Sequence, residues 1–177
     1  IVLKMCAPEL APILTRLFRL SYSTGVVPMS WKTASVHPIP KKGDRSDPAS
    51  YRPIAITSLL SKIMESIINC QLLRYLEEHQ LISDRQYGFR QCRSAGDLLA
   101  FLTRRWAEAV ESKGEAVATS LDIAKAFDRV WHKALLEKLP SFGLPEGLCK
   151  WLTSFLADRS IKVVVDGVCS DLKSVNA

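Results

Sequence analysis

The sequence predicts one α+β fold, and three observations support this fold class. Segments with helical periodicity and short strand-like segments are interspersed, without the regular strand–helix–strand alternation of α/β proteins. Neither an internal repeat nor a low-complexity linker divides the sequence. A length of 177 residues, with 47% hydrophobic and 24% charged residues, is enough for one globular domain with a sizeable core.

The first part of the chain predicts a helix followed by a hairpin. Apolar residues recur at helical spacing over 8–22, and Gly25 and Pro28 then mark the end of the helix. Over 33–40, every second residue is apolar or proline (Ala34, Val36, Pro38 and Pro40). This pattern favours an edge strand, because proline donates no backbone hydrogen bond. Residues 41–44 (KKGD) predict a turn, so the hairpin would have a basic tip.

The central part predicts two long helices and a buried strand. An apolar stripe over 58–78 predicts the first helix, and the second is expected over 94–112 with Gly114 as its stop. Residues 116–123 (AVATSLDI) are short and apolar, which favours a buried strand with Asp122 at its carboxyl end. The remaining predictions are helices over 132–139 and 145–157, a strand over 161–166 and a subdomain seam near 111–115.

The positive charge is concentrated near the start of the chain. The net charge is +6, and residues 1–57 contain eight Lys/Arg against three Asp/Glu, which accounts for +5 of it. Residues 114–177 balance at eight against eight. This distribution indicates contact with a polyanion on one side of the molecule, and a merely solvated basic face is the alternative.

The cysteines and histidines argue against a zinc site or a disulfide framework. The five cysteines contain no Cys-x-x-Cys pair, and the three histidines are equally scattered, so free and buried thiols are expected. No apolar run approaches the roughly 20 residues of a membrane span, and no signal-peptide pattern is present. We therefore expect an intracellular protein without a membrane partner.

Asp122 is a candidate metal ligand, because a carboxylate at the end of a rigid strand can hold Mg²⁺. A helix cap or a surface group is the alternative for a lone strand-end aspartate. Five residues later, Phe127 could pack under the sugar of a nucleotide and exclude a 2′-hydroxyl by its size. The alternative for Phe127 is a helical core stripe with Val130, Trp131 and Leu135.

Four sequence blocks occur in a fixed order along the chain. They are residues 31–44 (WKTASVHPIPKKGD), 51–54 (YRPI), 86–90 (QYGFR) and 121–128 (LDIAKAFD). In this order they resemble the reverse transcriptase domain of LINE-type, non-LTR retrotransposons, and the similarity spans about residues 25–177. Four ordered blocks are far more specific than any single motif.

The resemblance implies a right-hand polymerase architecture, of which this chain would supply the fingers and part of the palm. Residues 1–24 would form an N-terminal helical extension, 25–113 the fingers, and 114–177 a partial palm. The family pattern continues with a Gly/Pro/Gln motif and a strand carrying two adjacent aspartates, and neither occurs before Ala177. We therefore expect a fragment of a longer reading frame that does not polymerise alone, because one carboxylate cannot position two metal ions.

The resemblance also implies roles for individual residues. Asp122 would be the first metal-binding and catalytic aspartate, the Ile123 carbonyl a further metal contact, and Phe127 the sugar gate. Lys41 and Arg52 would bind the triphosphate, as a basic turn and a guanidinium fork suit polyphosphate. The implied cofactor is Mg²⁺ or Mn²⁺.

The block over 86–90 would lie along the template strand. Gln86, Phe89 and Arg90 match it, with the guanidinium on a phosphate and the aromatic ring as a stacking or packing face. Phe89 could equally anchor the fingers core. Asp128 belongs to the motif of Asp122, but a structural cap or ion pair is the expected role for it.

The implied activity is RNA-directed DNA polymerisation from dNTPs onto a DNA 3′-end. The expected partners are an RNA template, a DNA primer or target, and dNTPs. An endonuclease is expected elsewhere in the same polyprotein. The expected location of the protein is the nucleus, the cytoplasm or both. One alternative is a decayed or repurposed, non-catalytic nucleic-acid-binding protein. An RNA-directed RNA polymerase is disfavoured, because a bulky Phe127 would hinder ribonucleotides.

Overall fold

A computed structural model describes residues 2–175 of the chain and shows a mixed α+β fold, as the sequence predicts. The helices are α1 (Val2–Met5), α2 (Ala7–Thr24), α3 (Met29–Lys32), α4 (Leu59–Glu78), α5 (Ala95–Glu111), α6 (His132–Lys138) and α7 (Glu146–Leu156). The strands are β1 (Thr33–Pro40), β2 (Tyr51–Ile56), β3 (Ser160–Val165), β4 (Val168–Cys169) and β5 (Lys173–Ser174). Short 3₁₀ helices occur at Pro48–Ser50, Phe127–Arg129 and Leu139–Phe142.

The chain forms two compact units. The first contains the described residues up to Ile67 together with those from Phe127 onward, and the second is Ile68–Ala126. All five strands belong to the first unit, while α5 and the loops on either side of it belong to the second. The division into fingers and palm near residue 113 stays a prediction.

The sheet has the strand order β2-β1-β3-β4, and β5 pairs with the same edge of β3 as β4 does. β1 is antiparallel to β2 and parallel to β3, so the prediction of an edge strand at 33–40 is wrong. The parallel pairing covers Thr33 to Val36 and stops before Pro38 and Pro40. The missing N–H groups of these prolines therefore remove no bond to β3, and the strand can lie inside the sheet.

The core of the first unit is built from α2, α3, α7 and the start of β1. Trp151 of α7 is 2% exposed, and Phe18 of α2 packs edge-on against Trp31 with ring centroids 5.9 Å apart. Ala34 places the start of β1 against this core. These side chains confirm that the predicted helices over 8–22 and 145–157 are amphipathic helices with one buried face.

The end of α2 is closed by a left-handed glycine. Gly25 has φ +68°, its N–H donates to Tyr22, and the N–H of Val26 donates to the Ser21 carbonyl at 3.1 Å. A Cβ at position 25 would lie 2.7 Å from the side-chain carbons of Lys150. Both observations explain why the predicted helix stop requires glycine here.

A buried hydroxyl joins α2 to α7. The Ser21 hydroxyl accepts a hydrogen bond from Trp151 Nε1 at 3.1 Å and donates to the Val26 carbonyl at 2.7 Å. One residue further along the chain, the Val27 N–H donates to the Ser154 hydroxyl at 3.0 Å. Polar groups from two distant segments are thereby satisfied inside the core.

Replacing Ser21 by Ala should lower the free energy of unfolding by about 1–3 kcal/mol, because the indole N–H of Trp151 would stay buried without its acceptor. Chemical denaturation of the two proteins measures the difference. Ser23→Ala is the matched control, since the Ser23 hydroxyl is exposed and bonds only to the Leu20 carbonyl of its own helix. Equal stability of the two variants would contradict a role for the Ser21 hydroxyl.

The helices α4, α5, α6 and α7 confirm the predicted helical segments to within two residues at each end. α5 begins with a capping box, in which Ser94 and Asp97 exchange side-chain and backbone hydrogen bonds. No helix among residues 2–175 combines the length and the apolar character needed to cross a lipid bilayer.

Two further predictions are wrong. Residues 116–123 form no strand, because no strand within residues 2–175 pairs with the backbone of this segment. Val117 and Leu121 are exposed. The cysteines are free as predicted, but Cys6, Cys70, Cys92 and Cys169 are exposed and Cys149 is half-buried. A thiol is small, so the face of the element on which it lies decides its burial.

Candidate functional site

Lys41 and Arg52 lie close together at the basic end of the β1–β2 hairpin. Ile39 is the register partner of Arg52, and the Lys41 N–H donates to the Ser50 carbonyl at 2.7 Å just beyond the last paired residues. Lys41 Nζ reaches the Ala49 carbonyl at 3.4 Å. The hairpin therefore holds Arg52 on β2 and Lys41 directly after the last residue of β1, within one unit.

Local hydrogen bonds hold the loop between these strands. Asp44 accepts from the Ser46 N–H at 2.9 Å and from its hydroxyl at 2.7 Å, which lowers the pKa of the Asp44 carboxyl. Asp47 caps the following 3₁₀ helix by accepting from the Ala49 N–H at 2.8 Å. Within residues 2–175, neither of these loop carboxylates forms an ion pair with Lys41 or Arg52.

Phe127 also belongs to the first unit, where it opens a single 3₁₀ turn that ends at Arg129. Its side chain is 77% exposed, and Trp131 is exposed as well. The alternative of a helical core stripe therefore does not describe this segment. The gate role of Phe127 stays a prediction, and an exposed ring is compatible with it.

Asp122 and Ile123 lie in the second unit, on irregular and exposed backbone. Leu121, which precedes them, is 90% exposed. Among residues 2–175, no group of three or more His, Cys, Asp or Glu side chains is arranged to hold a metal ion. The described residues thus do not form a complete metal centre, and the metal roles of Asp122 and the Ile123 carbonyl stay predictions.

The predicted template-binding residues lie in the loop between α4 and α5, and they differ in how exposed they are. Gln86 and Phe89 are exposed, with Phe89 at 81%. The side chain of Arg90 is only 6% exposed, because its guanidinium forms a bidentate ion pair with Glu77 near the end of α4. Arg90 Nε donates to Glu77 Oε1 at 2.7 Å and Nη2 to Oε2 at 2.5 Å.

The remaining nitrogen of Arg90 binds the loop itself. Nη1 donates to the Ser83 carbonyl at 2.8 Å and approaches the Gln86 carbonyl at 3.4 Å. These bonds to Arg90 lower the pKa of the Glu77 carboxyl and outweigh the opposing effect of its desolvation. The pair is therefore ionised at neutral pH.

A second arginine holds the same loop. Arg93 donates to the Asp84 carbonyl and to its carboxylate at 3.1 Å, and its guanidinium lies 5.3 Å from the centre of the Tyr87 ring. Glu77 and Asp84 were not candidates from the sequence. Glu77 stands 13 residues before Arg90 at the end of an apolar helix, and no spacing rule links the two positions.

A family model described as reverse transcriptase (RNA-dependent DNA polymerase) matches residues 39–174. The chain is 35% identical over 99% of its length to the RNA-directed DNA polymerase from mobile element jockey of Drosophila melanogaster. It is 37% identical over 78% of its length to the probable RNA-directed DNA polymerase from transposon BS of the same species. It is 31% identical over 80% of its length to the Pol polyprotein from type-1 retrotransposable element R2 of Popillia japonica.

The chain covers 19%, 15% and 19% of the lengths of these three relatives, so it spans at most about a fifth of each. The family match nevertheless covers most of the chain and includes all the predicted site residues. Enzymes of this family generally use divalent metal ions. The chain therefore belongs to the reverse transcriptase family and is similar to its members from non-LTR retrotransposons.

Proposed function

We propose that the protein carrying this chain is an RNA-directed DNA polymerase that extends a DNA 3′-end along an RNA template with dNTPs. The observation that carries the proposal is the family match over residues 39–174, which contains the blocks at 51–54, 86–90 and 121–128 and the end of the block at 31–44. Residues 25–113 would supply the fingers and 114–177 part of the palm. Asp122 would be one carboxylate ligand of a Mg²⁺ or Mn²⁺ centre.

The nucleotide would bind at the end of the β1–β2 hairpin. Lys41, directly after β1, and Arg52, on β2, supply an ammonium and a guanidinium, and charge-assisted hydrogen bonds from such groups suit a triphosphate. In the described part of the chain, residues 2–175, neither adjacent loop carboxylate is ion-paired with these two cations. Phe127 would select deoxynucleotides by excluding the 2′-hydroxyl.

The template would run along the exposed residues of the α4–α5 loop. Gln86 can hydrogen-bond to a base edge or a sugar, and the Phe89 ring offers a stacking face. The DNA primer would be the genomic target. An endonuclease in the same polyprotein would create its 3′-end, and the R2 relative is by name a polyprotein.

The second candidate is a non-catalytic nucleic-acid-binding protein. The exposed cations of the hairpin favour it, because phosphate contacts alone are enough for sequence-independent binding. Such a protein would bind RNA with a strong salt dependence but would not extend a primer. Primer extension therefore separates the two candidates.

The test is extension of a DNA primer on an RNA template by a polymerase that contains this chain. Arg52→Gln should raise the KM for dNTPs by about tenfold with a smaller change in kcat, because a phosphate contact is lost. Arg45→Gln is the matched control, since it removes the same charge from the loop of the same hairpin. An equal KM in both variants would contradict the nucleotide role of Arg52, and failure of the unaltered polymerase to extend any primer would overturn the proposed function.

A further inference from the structure

The ion pair between Glu77 and Arg90 fixes the loop that carries the predicted template contacts. We propose that Glu77 is a positioning residue for the RNA template: through Arg90 it holds the 83–93 loop so that Gln86 and Phe89 face the nucleic acid. This inference rests on the proposed function, since it takes RNA to be the partner of the loop. It replaces direct phosphate contact by Arg90 with an indirect role.

The hydrogen bonds of Arg90 support the indirect role. All three guanidinium nitrogens donate within the protein, two of them to Glu77 and one to loop carbonyls. With 6% of its side chain exposed, Arg90 could reach an RNA phosphate only by breaking this arrangement. A buried guanidinium without its carboxylate would be costly, so the two residues act as one unit.

The backbone of the loop needs such a constraint. Phe89 and Cys92 have φ values of +58° and +57°, in the left-handed region that side chains other than glycine rarely adopt. Residues in this conformation persist when the surrounding contacts fix them, and they are frequent in ligand-binding segments. Arg90 lies between these two residues and bonds to the Ser83 and Gln86 carbonyls, so it ties the strained stretch to the part of the loop that precedes it.

The result is a loop with an ion-paired interior and an exposed face. Arg90 is turned inward to α4, and Arg93 is paired with Asp84. Arg85, Gln86 and Phe89 are exposed on the outside of the loop, where the Gln86 amide donates to the Gly88 carbonyl at 3.4 Å. An amide, an aromatic ring and one cation are the groups that single-stranded nucleic acid needs for hydrogen bonding, stacking and phosphate contact.

The direction in which Glu77→Gln changes the affinity for RNA distinguishes a positioning role from a simple electrostatic effect. Removing a negative charge near an RNA site should strengthen binding if only the charge matters. If Glu77 positions the loop, the 177-residue chain should instead bind a single-stranded RNA oligonucleotide about tenfold more weakly. Glu78→Gln is the matched control, because it removes the same charge from the neighbouring exposed position of α4.

The coupling is measured with Arg90→Gln and with the double variant. The double variant should bind RNA no more weakly than Arg90→Gln, because both substitutions break the same pair. The slope of log affinity against log salt should be unchanged in Arg90→Gln. A slope smaller by about 1 would reveal a direct phosphate contact and overturn the inference.

Hydrogen exchange of the loop amides gives a readout that does not depend on RNA. Glu77→Gln should increase exchange over 83–93 while leaving the β-sheet of the first unit protected. Unchanged exchange, or RNA binding as tight as that of the unaltered chain, would overturn the positioning role. Absence of RNA binding by the unaltered chain would instead overturn the template role of this loop in the proposed function. In that case, hydrogen exchange over 83–93 would by itself decide whether Glu77 holds the loop.

Discussion

Asp122→Asn is expected to abolish RNA-templated primer extension in a polymerase that contains this chain, with a loss of at least about a thousandfold in kcat. Asn keeps the size of the side chain but removes the negative charge that a hard divalent cation prefers in its ligands. RNA affinity should not change, because Asp122 is expected to contact the metal and not the template. Single-turnover extension and RNA binding by the same protein measure the two effects separately.

The control for Asp122 is Asp128→Asn. Asp128 is an exposed aspartate of the same sequence block, and it lies in the 3₁₀ turn at 127–129. Because it is not expected to bind metal, its substitution should leave most of the activity in place. Extension at the unaltered rate by Asp122→Asn would remove Asp122 from the metal site, and an equal loss in both variants would remove the distinction between the two aspartates.

Phe127→Ala is expected to reduce the preference for deoxynucleotides over ribonucleotides by roughly a hundredfold. The Phe127 ring is exposed and is proposed to occupy the space of a 2′-hydroxyl, so a methyl group would admit the larger sugar. The gain should lie in kcat/KM for ribonucleotides, while kcat/KM for dNTPs falls less. Steady-state extension with each of the two nucleotide types measures the ratio.

Trp131→Ala is the control for Phe127→Ala, because Trp131 is an exposed aromatic residue of the same segment and has no expected contact with the sugar. This variant should keep the discrimination of the unaltered polymerase. Equal discrimination by all three proteins would contradict the gate role of Phe127. A matching loss of discrimination in both variants would point to a general disturbance of the segment.

The sequence predicted the helices of this chain well, because helix formation is governed by residues three and four positions apart. The apolar stripes over 58–78 and 94–112 correspond to α4 and α5, and the predicted stop at Gly25 is a glycine in the left-handed conformation at the end of α2. Strands depend on partners that lie far away in sequence. The central position of β1 and the unpaired backbone of 116–123 were therefore not predictable from the local pattern.

The sequence by itself determined the family, the basic hairpin tip and the residue types of the candidate site. These properties depend only on which residues the motif blocks contain and on the order of the blocks. Only the tertiary structure decided that Arg90 points inward to Glu77, while Phe89 stays exposed in the same loop. The direction of a side chain follows from backbone angles and from a partner brought close by folding. A short sequence motif contains neither, so it could not reveal which residue of the QYGFR block is buried in an ion pair and which stays exposed.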